Sequence, residues 1–82
     1  MVLTEADVAE AVSQFKLTPR EIQIVWATAR CLEDFETERM LGIAHHTLRK
    51  HRCHIYGKTG RGSKPELVQM VYEHTLERRL SK

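Results

Sequence analysis

The sequence predicts an all-α domain on two observations. Helix-start signals recur along the chain, and the apolar residues between them fall at helical spacing, with no sustained alternation at period two. The first start is Thr4-Glu5-Ala6-Asp7, with Thr4 at the N-cap, Asp7 at the third helical position and Leu3 and Val8 as a hydrophobic staple; Asp makes a weaker box than Glu. Val8, Val12 and Phe15 follow at i, i+4 and i+7, so a helix from Thr4 to about Phe15 is expected with that stripe inward. The second start, Thr18-Pro19-Arg20-Glu21, is a complete capping box with Pro at the first helical position and Leu17 and Ile22 as the staple. Its buried face is marked by Ile22, Val25, Trp26 and Ala29. A short helix over Asp34 to Leu41 is closed by Gly42, and a new helix follows Ile43 with Leu48, Ile55 and Thr59 inward. Ser63-Lys64-Pro65-Glu66 opens the last helix. There Leu67, Met70, Val71 and His74 form one face and Val68, Tyr72, Thr75 and Leu76 an adjacent one, enough to pack on its own core and still offer a face to a partner.

Eighty-two residues, 41% hydrophobic and 29% charged, fit one core and exclude a second domain. The segments expected within it are an acidic capped helix over 1–16 and the remaining helices over 17–82. No apolar run approaches the roughly 20 residues needed to cross a bilayer, and the N-terminus lacks a basic region followed by an apolar stretch. A cytoplasmic protein is expected, with Cys31 and Cys53 unpaired.

The net charge of +2 hides a strong segregation. Met1 to Glu38 carries three basic and eight acidic residues, a net −5, whereas Arg39 to Lys64 carries seven basic residues and no carboxylate, a net +7. His45, His46, His51 and His54 lie in the basic block and add charge below about pH 6.5. A polyanion partner accounts for such a block; a solvated basic face is the plain alternative.

Charge and organisation meet at one place. A short helix, a Gly-containing turn and a second helix rich in base- and phosphate-capable side chains is the helix-turn-helix pattern. Leu17-Thr18-Pro19-Arg20-Glu21, Ala29, Leu41-Gly42-Ile43, Thr47-Leu48-Arg49-Lys50-His51, Ile55-Tyr56, Lys58-Thr59-Gly60 and Ser63-Lys64-Pro65-Glu66-Leu67 carry a further likeness. In that ungapped register the chain resembles the LuxR-type helix-turn-helix domain of bacterial response and quorum-sensing regulators, and the small regulator GerE. The resemblance implies a four-helix domain whose third helix enters the major groove of double-stranded DNA and whose fourth helix joins a homodimer; here an extra N-terminal helix precedes it. Val68, Tyr72, Thr75 and Leu76 would then make the dimer contact.

The resemblance places the recognition helix at about His45 to Lys58, with Leu48, Ile55 and Thr59 inward, His51 at the edge, and His46, Arg49, Lys50, Cys53 and Gly57 outward. It implies base contacts from Arg49, Lys50 and Cys53, joined by His46 on the same face, and phosphate contacts from Thr47 and Lys58. The chemistry fits. Arg49 can fork onto guanine O6 and N7, Lys50 can donate to the same acceptors, and Cys53 suits a thymine methyl. Thr47 sits in the first turn, where open backbone N–H groups favour a phosphate. Lys58, Arg61 and Lys64 follow as backbone contacts that set register without reading sequence. Arg20 and Glu21 are expected in capping and intradomain ion pairs, and His51 in packing.

Several positions depart from the family pattern. Cys31 stands where the family has Gly after its second helix, and Glu33 where Ser or Thr precedes the scaffold helix. Thr37 and Glu38 replace an Ile-Ala pair; the carboxylate must turn outward or find a partner, with Arg39 and His45 to His51 in reach. Ala44 replaces the recognition helix's N-cap, at a cost of about 1 kcal/mol. Thr59 and Arg61 replace apolar residues near the following turn.

Other chemistry is not expected. Gly57-Lys58-Thr59 would end a phosphate-binding loop only with Gly at the position of Arg52. His45, His46, His51, Cys53 and His54 on one helix cannot surround a metal ion. With no catalytic constellation or cofactor loop, neither an enzyme nor a cofactor is expected. The expected function is sequence-specific transcription regulation as a dimer. Met1 and the capped first helix favour an autonomous regulator with no sensor domain. That helix covers the core, extends the dimer, or contacts another regulator or RNA polymerase. The rival is a protein-interaction adaptor or anti-activator that keeps the fold, motivated by Glu38 and Ala44, and a third is a promoter-binding fragment like a sigma factor.

Overall fold

The computed structural model describes residues 3–81. Among them the order is α1 (Glu5–Ala11), a 3-10 turn (Ser13–Phe15), α2 (Pro19–Ala29), α3 (Asp34–Leu41), α4 (His45–Thr59) and α5 (Lys64–Leu80), with no strand. The five helices are compatible with a helix-turn-helix domain.

The marked helix starts are built as their side chains dictate. Thr4 Oγ1 accepts from the Asp7 N–H at 3.1 Å while Asp7 Oδ2 accepts from the Thr4 N–H at 3.0 Å. Thr18 and Glu21 make the same reciprocal pair at 3.2 and 2.8 Å. Ser63 accepts from the Glu66 N–H at 3.4 Å, but its hydroxyl donates to Glu66 Oε1 at 3.0 Å, so here the box closes through the side chain. Gly42 and Gly60 end α3 and α4 at φ +66° and +74°, the left-handed conformation that stops a helix.

α1 is shorter than the apolar spacing predicts. It ends at Ala11, the chain tightens into the 3-10 turn, and Lys16 turns left-handed at φ +56°. The Ser13 hydroxyl donates to the Glu10 carbonyl at 2.9 Å, occupying a helix-end acceptor, and the tighter turn carries Phe15 onto the core.

α1, α2 and α5 pack on one another, α3 packs on α4, and α4 on α2. The core draws Val8, Ala11 and Val12 from α1, Ile24, Val25 and Ala29 from α2, Leu48 and Ile55 from α4, and Leu67, Met70 and Val71 from α5. α1 therefore covers the core, which settles one of the roles open to it. Its Asp7 also reaches the far end of the chain, with Oδ1 2.5 Å from Arg78 Nη2 and Oδ2 2.9 Å from Arg79 Nη2. α2 is buried over more than the expected stripe: Ile24 is fully enclosed, whereas Ile22 and Trp26 are half-buried. The cause is that α2 faces three helices, and a single-stripe reading counts one.

The departure at Cys31 has a backbone consequence. Cys31 sits at φ +62°, where a Cβ crowds the following carbonyl and glycine pays no such penalty. Cys31→Gly is expected to raise stability by about 1 kcal/mol, or a Tm gain of about 4–8 °C for a domain this size, measured by thermal unfolding. An unchanged or lower Tm would show that no strain is held there.

Candidate nucleic-acid interface

The geometry of α4 divides its residues as its period requires. Leu48, Ile55 and Thr59 are buried, His51 is half-buried, and His46, the adjacent pair Arg49 and Lys50, Cys53 and Gly57 share an exposed side at steps of three or four residues from one turn to the next. The expected base-contacting set is thus brought together on one outward strip. The buried Thr59 is satisfied, since its hydroxyl donates to the Ile55 carbonyl at 2.8 Å and accepts from the Arg61 N–H at 3.4 Å. Thr37, where the family pattern has Ile, is 1% exposed and donates to the Glu33 carbonyl at 3.3 Å.

Three carboxylates from the acidic part of the chain hold α4 along its length. At its start Glu38 Oε2 lies 2.7 Å from His45 Nδ1, one of the partnerships that the sequence requires of Glu38. Ala44 makes no side-chain cap, so this pair ties α3 to the first residue of α4 where a capping hydroxyl would otherwise act. In the middle, Asp34 Oδ1 lies 3.1 Å from Arg52 Nη2 and 2.7 Å from Lys64 Nζ, joining the starts of α3 and α5 to α4. At its end Lys58 Nζ lies 2.7 Å from Oε1 of Glu21, a carboxylate 2% exposed that also caps α2. Arg20 Nη1 donates to the Leu41 carbonyl at 3.4 Å, joining α2 to the end of α3. Arg20 and Glu21 therefore serve within the domain, as expected.

These pairs redistribute the basic block. Of the cations expected on phosphates, Lys58 and Lys64 lie on Glu21 and Asp34, whereas Arg61 is exposed in the loop and Thr47 is half-buried in the first turn. Arg52 and Asp34 were not singled out from the sequence. Position 52, four after Leu48 and three before Ile55, is a signal that the Arg52 side chain leans inward.

Three carboxylates, Asp34 and Glu21 beside α4 and Asp7 on α1, are held below their ordinary values. For Asp34 the main cause is the Lys64 ammonium, helped by Arg52 against a burial penalty. For Glu21 burial is the largest influence and works upward, but the Lys58 ammonium and the Thr18 N–H outweigh it. For Asp7 the Thr4 N–H leads, burial opposes it, and Arg79 and Arg78 assist. A depressed carboxylate stabilises the fold above its unfolded pKa, and that contribution is lost as pH falls through the folded value. Stability should therefore be level above about pH 4.5, the ordinary Glu value, and fall below it. Glu21→Gln is expected to lower the plateau and make the acid fall shallower, measured by urea unfolding between pH 3 and 7. An acid limb as steep as the parent's would remove Glu21 from this account.

On α5 the four residues expected at a dimer contact divide. Leu76 is exposed and Val68 and Tyr72 are half-buried, but Thr75 is fully enclosed in the chain's own core, its hydroxyl without a hydrogen-bond partner. Thr75 therefore leaves the outward set: it lies four residues beyond the buried Val71, on the face turned to α1 and α2. Both cysteines are exposed and unpaired. Among the described residues no helix is long and apolar enough to cross a membrane.

Over 61 residues, 74% of the chain, the sequence is 34% identical to an Aeromonas salmonicida protein named "Putative HTH-type transcriptional regulator in exeN 3'region". The chain spans 31% of that relative's length. No model of a protein family matches the chain, and no solved structure matches it. The similarity is to a helix-turn-helix regulator, in keeping with the short α3, the Gly42 turn and the longer α4.

Proposed function

We propose that this chain is a cytoplasmic, non-enzymatic transcription regulator of the LuxR/GerE helix-turn-helix type, binding double-stranded DNA as a two-fold homodimer. α4 would lie in the major groove and α5 at the subunit contact. The observation that carries this reading is the outward strip of α4, where His46, Arg49, Lys50 and Cys53 are exposed together on a helix anchored from behind. Arg49 and Lys50 would read guanine, His46 and Cys53 would flank them, and positioning would come from phosphates. Ala44 leaves the first-turn N–H groups of α4 without a side-chain acceptor, which suits a phosphate beside Thr47. Arg61 would hold another. Lys58 and Lys64 would share their charge between a phosphate and the carboxylate each already contacts.

Selection from a random duplex pool at two salt concentrations, with sequencing of what is retained, tests the reading. A two-fold related motif is the expected result, and loss of all binding at physiological salt would sink it. One observation favours the rival adaptor reading: α3 presents Phe35 and Met40 to solvent at 64% and 45% exposure, apolar side chains that suit a protein partner such as another regulator or RNA polymerase. No retained motif, together with capture of such a partner that is lost on replacing Phe35 or Met40, would support it.

A further inference from the structure

Four of the five histidines lie on α4, and the fold gives them different surroundings. His45 already faces a carboxylate, with Nδ1 2.7 Å from Glu38 Oε2. His51 is half-buried, in register between the enclosed Leu48 and Ile55. His46 and His54 are exposed, and among the described residues neither has a hydrogen-bond or ion-pair partner. They stand four residues before and four after Lys50, so each imidazole lies one turn from its ammonium, about 6 Å along the axis.

The charged groups on the helices packed against α4 are engaged elsewhere. On α3, Asp34 holds Arg52 and Lys64, Glu38 holds His45, and Glu36 accepts from the Glu33 N–H at 2.9 Å, while Glu33 and Arg39 are exposed. On α2, Glu21 holds Lys58 and Arg20 donates to the Leu41 carbonyl; just beyond its end, Arg30 lies over the Trp26 ring, 4.6 Å from the centroid. In the free chain a proton on His46 or His54 therefore gains no anionic partner and sets a like charge one turn from Lys50, an unfavourable pair. A duplex against this strip reverses both conditions. Its phosphates offset the charge of Lys50, and its phosphate and guanine oxygens accept from an imidazolium N–H.

We propose that duplex binding by this chain is coupled to proton uptake: His46 and His54 take protons as α4 meets the duplex, so a fall in pH tightens the complex. His54 thereby joins the outward strip as a binding residue, whereas His45, already on Glu38, contributes no proton. Because the complex holds more protons than its separated partners, affinity rises as pH falls through the imidazole range, about 6.5, and is lost as pH climbs past it. The inference rests on the DNA-binding reading above and makes acidity a regulator of it.

Fluorescence anisotropy of rhodamine-labelled duplexes, one selected and one random in sequence, titrated at low salt between about pH 5.5 and 7.5, tests it. A one-unit preference for the charged form on two imidazoles makes the parent bind at least about tenfold more tightly at the acid end. The salt slope should steepen there by up to about two, with helix content level throughout. The double variant His46→Gln, His54→Gln should hold its affinity within about twofold over the range. In His46→Lys, His54→Lys the charge is fixed, so binding at about pH 7.5 should match the parent's at about 5.5 and lose its pH dependence. Both positions are exposed, so both variants should melt near the parent. His45→Gln should keep the parent's dependence; its loss there, with the double Gln variant still responding, overturns the assignment. Level affinity in a parent that binds duplex overturns the coupling and leaves the DNA-binding reading standing. A chain that holds neither duplex at any pH sinks that reading and the coupling with it.

Discussion

Leu48→Ala is expected to cost about 2–5 kcal/mol of folding stability, the range for truncating a buried leucine. Leu48 is fully enclosed on the inner face of α4 and belongs to the same core as Ile24, Ile55 and Val71. Its removal therefore loses both transfer energy and packing that the shared core supplies. A domain of this length holds roughly 4–12 kcal/mol in total, so the variant should lose about a sixth of it or more and unfold at a lower temperature. Urea unfolding followed through the single tryptophan, Trp26, which is half-buried in α2, measures the effect. A loss below about 1 kcal/mol would mean that α4 is held to the domain by its ion pairs, and that Leu48 adds little.

Arg49→Ala, one residue along, should do the opposite. Its side chain is exposed, so stability is expected to stay within about 0.5 kcal/mol of the parent. The selected duplex should be bound about 5–150-fold more weakly, equivalent to about 1–3 kcal/mol, with preference relaxed at one base pair in each half-site. Arg49→Lys should recover little of that preference, because an ammonium lacks the planar fork that matches guanine O6 and N7. Equal losses on selected and random duplexes would count against base reading. Lys58→Ala offers the contrast: it should weaken all duplexes alike and lower the salt slope by about one, and it should also destabilise the fold by leaving Glu21 without its ammonium.

Much of this architecture was legible in one dimension because its signals are local. Thr18 and Glu21 cap a helix through groups three residues apart, and Gly42 stops one through its own φ. The split of α4 into a buried stripe and an exposed strip follows from its period alone. The misses share a different origin. Ile24 falls outside the stripe that spacing marks on α2, and Thr75 falls in the outward set of α5, because the side of a helix that counts as inside depends on its neighbours: α2 packs on three helices, and α5 packs on both α1 and α2. Phe15 was assigned to α1 because spacing does not reveal where a short helix gives way to a tighter turn.

The charge segregation shows most directly how the two levels divide. The sequence by itself determined that a run of 26 residues would be basic without a carboxylate, that it would contain a helix, and that His46, Arg49, Lys50 and Cys53 would share one side of it. Only the tertiary structure decided which of those cations are spent inside the domain. Asp34 takes Arg52 and Lys64, Glu21 takes Lys58, and Glu38 takes His45, across separations in sequence from 7 to 37 residues. Composition counts charge along the chain, but charges neutralise one another through space, and the distance that governs them is set once the helices pack.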